Sequence, residues 1–477
     1  MPDTDKTAAA TPVDHLQNPK LFVVFRVLFN SRFYYPVYAL MFLDFGLTQE
    51  QFATLNFAWA IAIVLLEIPS GALADQIGRR PLVIGAAVLM MVEMSVMFLM
   101  PVVDRSSYEG DPEGLRTAVW LLFAVFMVNR ILSGAAEAAA SGADEALAYD
   151  SLPVADRELR WSRLTTILMK SQAAGFIVVT LIGAAVYDPA FVNASFRFLG
   201  IDLALTQSQT LKIPIGLTLL MSFGVLGVAL RMREPPDFVR PEKKKLLQAT
   251  KESFARTMKA GAWIAHTPAA LMLLLVGLFF DSIMRLYYTV GSIWLTTIGY
   301  DPAHLGLISI VGSVTGIFAA ILGERLITRF TPKFNFRLLT ILVFIGVLSL
   351  AFPVRYWSVL FLPAIWMSMR LLHFFVSNYL NRVTSAENRA TVLSFRGLSM
   401  NLSYGILMWL YGMQTAYLRK HQAPEAADGE ALTQRIFADA AQWWWVYFLA
   451  VIVGLALFRA LKLRQSWNEL LPPTGKR

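Results

Sequence analysis

Twelve stretches of this chain are apolar over about 20 residues, the length a helix needs to cross a hydrocarbon layer about 30 Å thick. They lie near 21–44, 52–74, 81–102, 116–138, 165–187, 211–231, 268–296, 304–326, 336–354, 356–379, 392–417 and 442–463. Backbone polar groups in lipid must be satisfied within the segment, so runs of this length predict an all-α membrane protein. The short alternating strands of a membrane barrel are absent. Only 16% of residues are charged and 56% are hydrophobic, against about 25% charged in soluble chains. The first run contains Arg26, Asn30 and Arg32 and has no small-residue cleavage site, so it reads as a span and not as a cleaved signal peptide.

The 42 basic and 33 acidic residues leave a net charge of +9. The basic residues are dispersed over loops on one side of the spans, which makes the excess a topology signal and not the footprint of a nucleic-acid surface. With positive loops inside, both termini are expected in the cytoplasm, in a bacterial inner membrane. The densest basic block runs through Arg231, Arg233, Arg240, Lys243, Lys244, Lys245, Lys251, Arg256 and Lys259; it reads as a solvated linker that enforces orientation, with lipid binding as the alternative. It divides the spans six and six: a tail at 1–20, a six-helix bundle at 21–231, a linker at 232–267, a second bundle at 268–463 and a tail at 464–477. Trp443, Trp444 and Trp445 open the last span, where an interfacial aromatic belt is expected. The chain has no cysteine, which removes disulfides, thiolate metal sites and a cysteine nucleophile.

The halves repeat. RFYYPVYALMFLDFG from Arg32 aligns with RLYYTVGSIWLTTIG from Arg285, and FMVNRILSG around Arg130 with WMSMRLLHF around Arg370. Parallel repeats of this kind mark secondary transporters.

Between the second and third spans the chain reads EIPSGALADQIGRRP. Gly71, Leu73, Asp75, Gly78, Arg79 and Arg80 resemble the loop motif G-x-L-x-D-x-x-G-R-R/K of the major facilitator superfamily. Arg130 and Gly134 in the fourth span resemble the R-x-x-x-G pattern of its proton-coupled antiporters, although the glycine-proline pair of drug antiporters is missing from the fifth span, which carries Gly175 and Gly183. The resemblance implies twelve helices in two pseudo-symmetric six-helix bundles that rock about a central site. It also implies that Asp144, Glu145 and Asp150 latch onto Arg79 or Arg80, the alternative being a solvated acidic loop.

Charges inside a bilayer are costly and mark function or pairing. Arg32, Tyr34 and Tyr35 in the first span and Asp281, Arg285, Tyr287 and Tyr288 in the seventh fall near mid-depth. Asp281 and Arg285 are spaced to pair on one helix. Arg32 has no acid at that spacing and needs a carboxylate from elsewhere or an anion. Arg130, Arg370 and His373 add positive character, opposed by Glu67, Glu93 and Glu137; Glu93 reads as structural, and Arg130 paired with Glu137 is an alternative to a functional arginine. Lys170 and Arg396 lie nearer helix ends and read as snorkelling.

The expected substrate is therefore a small anionic or amphipathic organic solute, contacted by Arg32, Arg285 and Arg370 with the four tyrosines. Asp281, Glu67, Glu137, Arg130 and His373 are the coupling candidates for a proton or another ion. No G-x-x-x-x-G-K-S/T loop or H-E-x-x-H spacing is present, so no cofactor, metal or enzyme activity is expected. Proton-coupled export by a monomer is the first reading. Proton-coupled uptake of an anionic nutrient is the alternative, and a membrane receptor or assembly factor without transport is a rival of another class.

Overall fold

The computed structural model describes residues 14–235, 246–385, 388–422, 429–465 and 471. The expected Arg240, Lys243, Lys244 and Lys245 of the basic block, and most of both tails, lie outside them.

The described elements are helical. In chain order they are α1 (Asn18–Phe29), α2 (Tyr38–Asp44), α3 (Gln49–Ile77), α4 (Arg79–Leu99), α5 (Pro112–Ala140), α6 (Ala143–Asp150), α7 (Arg157–Tyr187), α8 (Pro189–Phe198), α9 (Gln207–Thr210), α10 (Lys212–Arg231), α11 (Leu246–His266), α12 (Pro268–Thr297), α13 (Pro302–Arg329), α14 (Pro332–Ala351), α15 (Leu362–Val383), α16 (Arg389–Gln422), α17 (Glu430–Ala441) and α18 (Trp444–Leu457). Among the described residues, ten helices are long and apolar enough to cross a bilayer. The eleventh expected span is α16, long enough but more polar. The first is broken into α1 and α2, so the twelve spans of the sequence coincide with eleven continuous helices and one interrupted one.

The break has a local cause. Pro36 has no N–H to donate to the preceding turn. The Phe33 N–H instead donates to Thr218 Oγ1 (3.0 Å) on α10, and the Phe33 carbonyl lies against Gly183 of α7, where an added Cβ would fall 1.7 Å from its oxygen. The aligned repeat from Arg285 stays helical through α12.

Two ends can be told apart. The linker end holds the start of α1, the α3–α4 turn, α6 and α11. The far end holds the α4–α5, α7–α10, α12–α13 and α16–α18 connections. Among the described residues, the polar contacts between the first six spans and the last six lie toward the far end. Glu50 pairs with Arg419 at 3.0 Å. Gln49 donates to the Thr433 carbonyl (2.6 Å) and accepts from the Tyr411 hydroxyl (3.2 Å). Ser292 Oγ accepts from the Ala39 and Leu40 N–H groups (3.2 and 3.3 Å), and Asp188, which caps α8, accepts from Ala303 N–H at the start of α13 (3.3 Å). The two groups are thus closed on each other at the far end.

At the linker end the side-chain hydrogen bonds among the described residues run within each group, as where Asn335 donates to the Leu326 carbonyl and the Tyr379 hydroxyl (3.1 and 2.7 Å). Gly78 makes the one-residue turn between α3 and α4 with φ of 99°, a conformation that favours glycine. The Glu234 carboxylate accepts from the Arg79 and Arg80 N–H groups (3.0 and 2.9 Å) at the N-terminus of α4, where an acid complements the helix dipole. The Arg80 side chain donates to the carbonyls of Met232 and Leu230. Arg79 pairs with Asp150, as expected of the acidic run. Asp144 and Glu145 do otherwise: Arg26 of α1 holds Asp144 and lies 3.7 Å from Glu145, because α6 folds back beside α1. Gly71 faces open space, and Asp75 is exposed in the last turn of α3.

The described residues 246–266 of the linker form a helix and not a solvated loop. α11 buries Thr257, Ala260 and Ile264, and Gly261 fits against the Phe395 ring of α16. In the last span Trp443 is exposed, but Trp444 is buried against Tyr411 and Phe437, a core position and not an interfacial one.

Candidate functional site

A cavity of about 410 Å³ lies at mid-depth, lined by both groups: Arg32, Tyr34, Tyr35, Tyr38, Asn56, Trp59, Arg130, Ser133 and Glu137 from the first, and Arg285, Tyr288, Thr289, Met369, Arg370, His373 and Tyr404 from the second. Most residues expected at mid-depth are here, and each arginine is held differently.

Arg32 is only 2% exposed. Its Nη1 donates to Glu93 Oε1 (3.1 Å) and to the Tyr34 hydroxyl (3.0 Å), and Glu137 lies 3.6 Å away. The carboxylate it lacked on its own helix comes from α4 and α5. Arg32 is therefore a neutralised wall of the cavity and not a free anion site, and Glu93 is its structural counter-charge. Glu137 is drawn to Arg32 rather than to Arg130. Arg130 instead lies between two aromatic faces, its guanidinium carbon 5.7 Å from the Tyr38 ring and 5.5 Å from the Trp59 ring, an arrangement that stabilises a desolvated cation. One helical turn on, Gly134 lets α5 close on α3, where a Cβ would meet Ala62 and the Trp59 carbonyl.

In the second group Asp281 is 1% exposed. Its Oδ1 shares a hydrogen bond of 2.9 Å with His373 Nε2, and its Oδ2 lies 3.5 Å from Arg285 Nη1. The intrahelical pair expected from spacing thus exists, but it is shared with α15. Arg285 also donates to Asn401 (3.1 Å) and lies 4.3 Å over the Tyr404 ring. Tyr404 contacts Thr289 by its hydroxyl (2.7 Å) and Trp59 by its ring edge (6.3 Å). A chain of rings and cations, Tyr38, Arg130, Trp59, Tyr404 and Arg285, with Trp59 and Tyr404 meeting ring to ring, thereby crosses from one group to the other. Half of the His373 side chain is exposed to the cavity.

The repeat is legible in the tyrosines. The first of each pair, Tyr34 and Tyr287, is buried, while the second, Tyr35 and Tyr288, is exposed on the cavity; the rings within each pair meet edge to face. Tyr287 packs on Trp294 and lines the space adjoining the cavity. Glu67 of α3 is partly buried and outside the cavity wall, unlike the coupling candidates Glu137, Arg130 and His373; Asp281 is also off the wall and meets it through His373 and Arg285.

Arg370 lines the cavity with no ion pair among the described residues. It also lines a second, adjoining space of about 1450 Å³, which shares Tyr35, Tyr38, Tyr288, Thr289 and His373 with the first and continues between α7 and α13. Lys170 of α7 is on this wall and exposed, rather than merely reaching for the interface, and it too has no ion pair among the described residues. Tyr38, Trp59, Tyr404 and Lys170 are among the site residues that the sequence reading did not assign to the site. Aromatic side chains on apolar spans carry no signal that separates a cavity from a lipid face, and only the position of Tyr38, within the repeated motif, hinted at its place.

Residues 21–408 match the family model of the Major Facilitator Superfamily. In three dimensions the chain is similar to a substituted form of the nucleoside transporter NupG, with a TM-score of 0.66 and 11% identity over 92% of this chain and 99% of that one. It is similar to a bacterial homologue of the human lysosomal transporter Spinster in an inward-facing, occupied conformation (TM-score 0.64, 15% identity, 98% and 100% covered), and to a D-xylose-proton symporter (0.57, 14%, 90% and 96%). At these identities the likeness is one of fold. No curated protein matches the sequence.

Proposed function

Since the chain belongs to the Major Facilitator Superfamily, we propose that it is a secondary active transporter that exports a small organic anion by alternating access, coupled to protons. The bundles at 21–231 and 268–463 move against each other, joined by 232–267. With both termini on the cytoplasmic side of a bacterial inner membrane, the linker end is the inner end, and the far-end contacts hold the outer side closed, as in the state from which an exporter loads.

The observation that carries this reading is the uneven pairing of charge around one cavity between the bundles. Arg32 and Arg285 are neutralised by the protein's own acids, whereas Arg370 is left to meet an anion. Asp281 ties Arg285 on α12 to His373 on α15, so a proton gained or lost by this pair changes the charge facing the substrate and the bond between two helices together. That is the coupling a proton-driven carrier requires. The protein works as a monomer, since the cavity is complete within one chain. The test is uptake of labelled organic anions into proteoliposomes under an imposed proton gradient. Gradient-driven accumulation that an uncoupler abolishes and Arg370→Gln removes is expected; accumulation indifferent to both would overturn the proposal.

A further inference from the structure

From the two joined cavities we infer that the cargo is a single-chain amphiphile, its anionic head at Arg370 and its hydrocarbon tail in the cleft between α7 and α13. This rests on the transport reading above and gives its substrate a shape.

α7 and α13 touch closely toward the far end. Gly306 lies against α7 so tightly that a Cβ there would fall 2.7 Å from the Thr180 carbonyl and 3.0 Å from Ala184. Toward the linker end the same two helices part, and Met169, Ala173 and Phe176 on one side face Ile317, Ala320 and Ile321 on the other across open space. From Thr180 back to Met169 the cleft runs about 16 Å along α7, at about 1.5 Å per residue. Met169, Phe176, Ile317 and Ile321 line the cavity and are also exposed at its margin, so the cleft opens sideways where acyl chains lie. Its walls are mainly apolar, with Gln172, Ser309 and Ser313 interspersed, and its deep end is the head site, where Arg370, Tyr288 and His373 belong to both cavities. A fully polar solute would leave these walls wet or empty. An alkyl chain fills them while its head reaches the one lining arginine that has neither an acid nor an aromatic clamp. Lys170, near the mouth on α7, attracts the same head group as it enters from the leaflet at the linker end.

The test uses the full chain in lipid nanodiscs, with empty nanodiscs as the blank for partitioning, and radiolabelled dodecanoate and hexanoate as probes. Burial of each methylene strengthens binding by about fourfold, so dodecanoate is expected to bind at least about tenfold tighter than hexanoate after subtraction of the blank. Ala320→Trp, or Ile317→Trp should the first variant fold poorly, fills the cleft and brings dodecanoate down to the affinity of hexanoate; Arg370→Gln weakens both probes. Equal affinity for the two probes, or dodecanoate binding indifferent to both tryptophan variants, would overturn the tail site while leaving the anion cavity intact. Binding of neither probe above the blank would overturn the tail site and the anionic cargo together.

Discussion

The guanidinium groups of Arg32 and Arg370 look alike in the sequence, each in an apolar span with no acid three or four residues away, yet the fold gives them opposite tasks. Arg32 is sealed against Glu93, and removing one member of a buried pair costs about 3–5 kcal/mol because the other is left unpaired. Arg32→Gln is expected to lower the Tm and folded yield of the purified protein, and adding Glu93→Gln is expected to recover part of the loss. Arg370→Gln should leave Tm nearly unchanged and raise KM for the transported anion by tenfold or more. Loss of stability in the Arg370 variant with KM unchanged would reverse the assignment. The distinction was illegible in the sequence, because Glu93 and Glu137 reach Arg32 from helices more than sixty residues away, and no periodicity within the first span reports them. Asp281 and Arg285 were legible, since their spacing alone puts them on one face; the third partner, His373, needed the fold.

At the scale of helices, the positions of the spans were readable from run length and hydropathy, and their ends moved by a few residues. The break at Ser31–Tyr34 was not, because it depends on Gly183 of α7 accepting the Phe33 carbonyl as much as on Pro36. Gly183→Ala is expected to destabilise the protein by about 1–3 kcal/mol, the usual cost of overpacking, measured by thermal unfolding in detergent. α11 was likewise hidden by its charges: its lysines and arginines read as a solvated linker, while the Thr257, Ala260 and Ile264 face that packs it down is short. At the far end, Gln49 and Thr433 bridge α3 to α17. The absence of cysteine makes a designed disulfide unique in this chain, so Gln49→Cys with Thr433→Cys is expected to lock the far end shut on oxidation. Transport should stop and return with reductant; full transport by the oxidised pair would show that this end does not open.

The whole molecule joins two bundles through a cavity whose charge is set from both sides. If the Asp281 and His373 pair carries the proton, Asp281→Asn is expected to yield carriage down a concentration gradient that no longer responds to pH, as measured by anion efflux from loaded proteoliposomes between acidic and neutral buffers; an unchanged pH response would place the coupling elsewhere. The architecture was open to the sequence reading because duplication leaves the repeated arginine-tyrosine segments in register. The cleft between α7 and α13 was not, since it is a property of how two helices diverge.

The claim on which all of this turns is that the central cavity faces one side of the membrane at a time. Tyr288 lines that cavity and is 46% exposed, and Tyr288→Cys places a single thiol there for a membrane-impermeant maleimide offered from either face of oriented vesicles. The account predicts labelling from the linker face in the resting protein, and labelling from the far face as well once Glu50→Gln removes the pair with Arg419. A thiol that reacts from neither face, or equally from both in the otherwise unaltered chain, contradicts it.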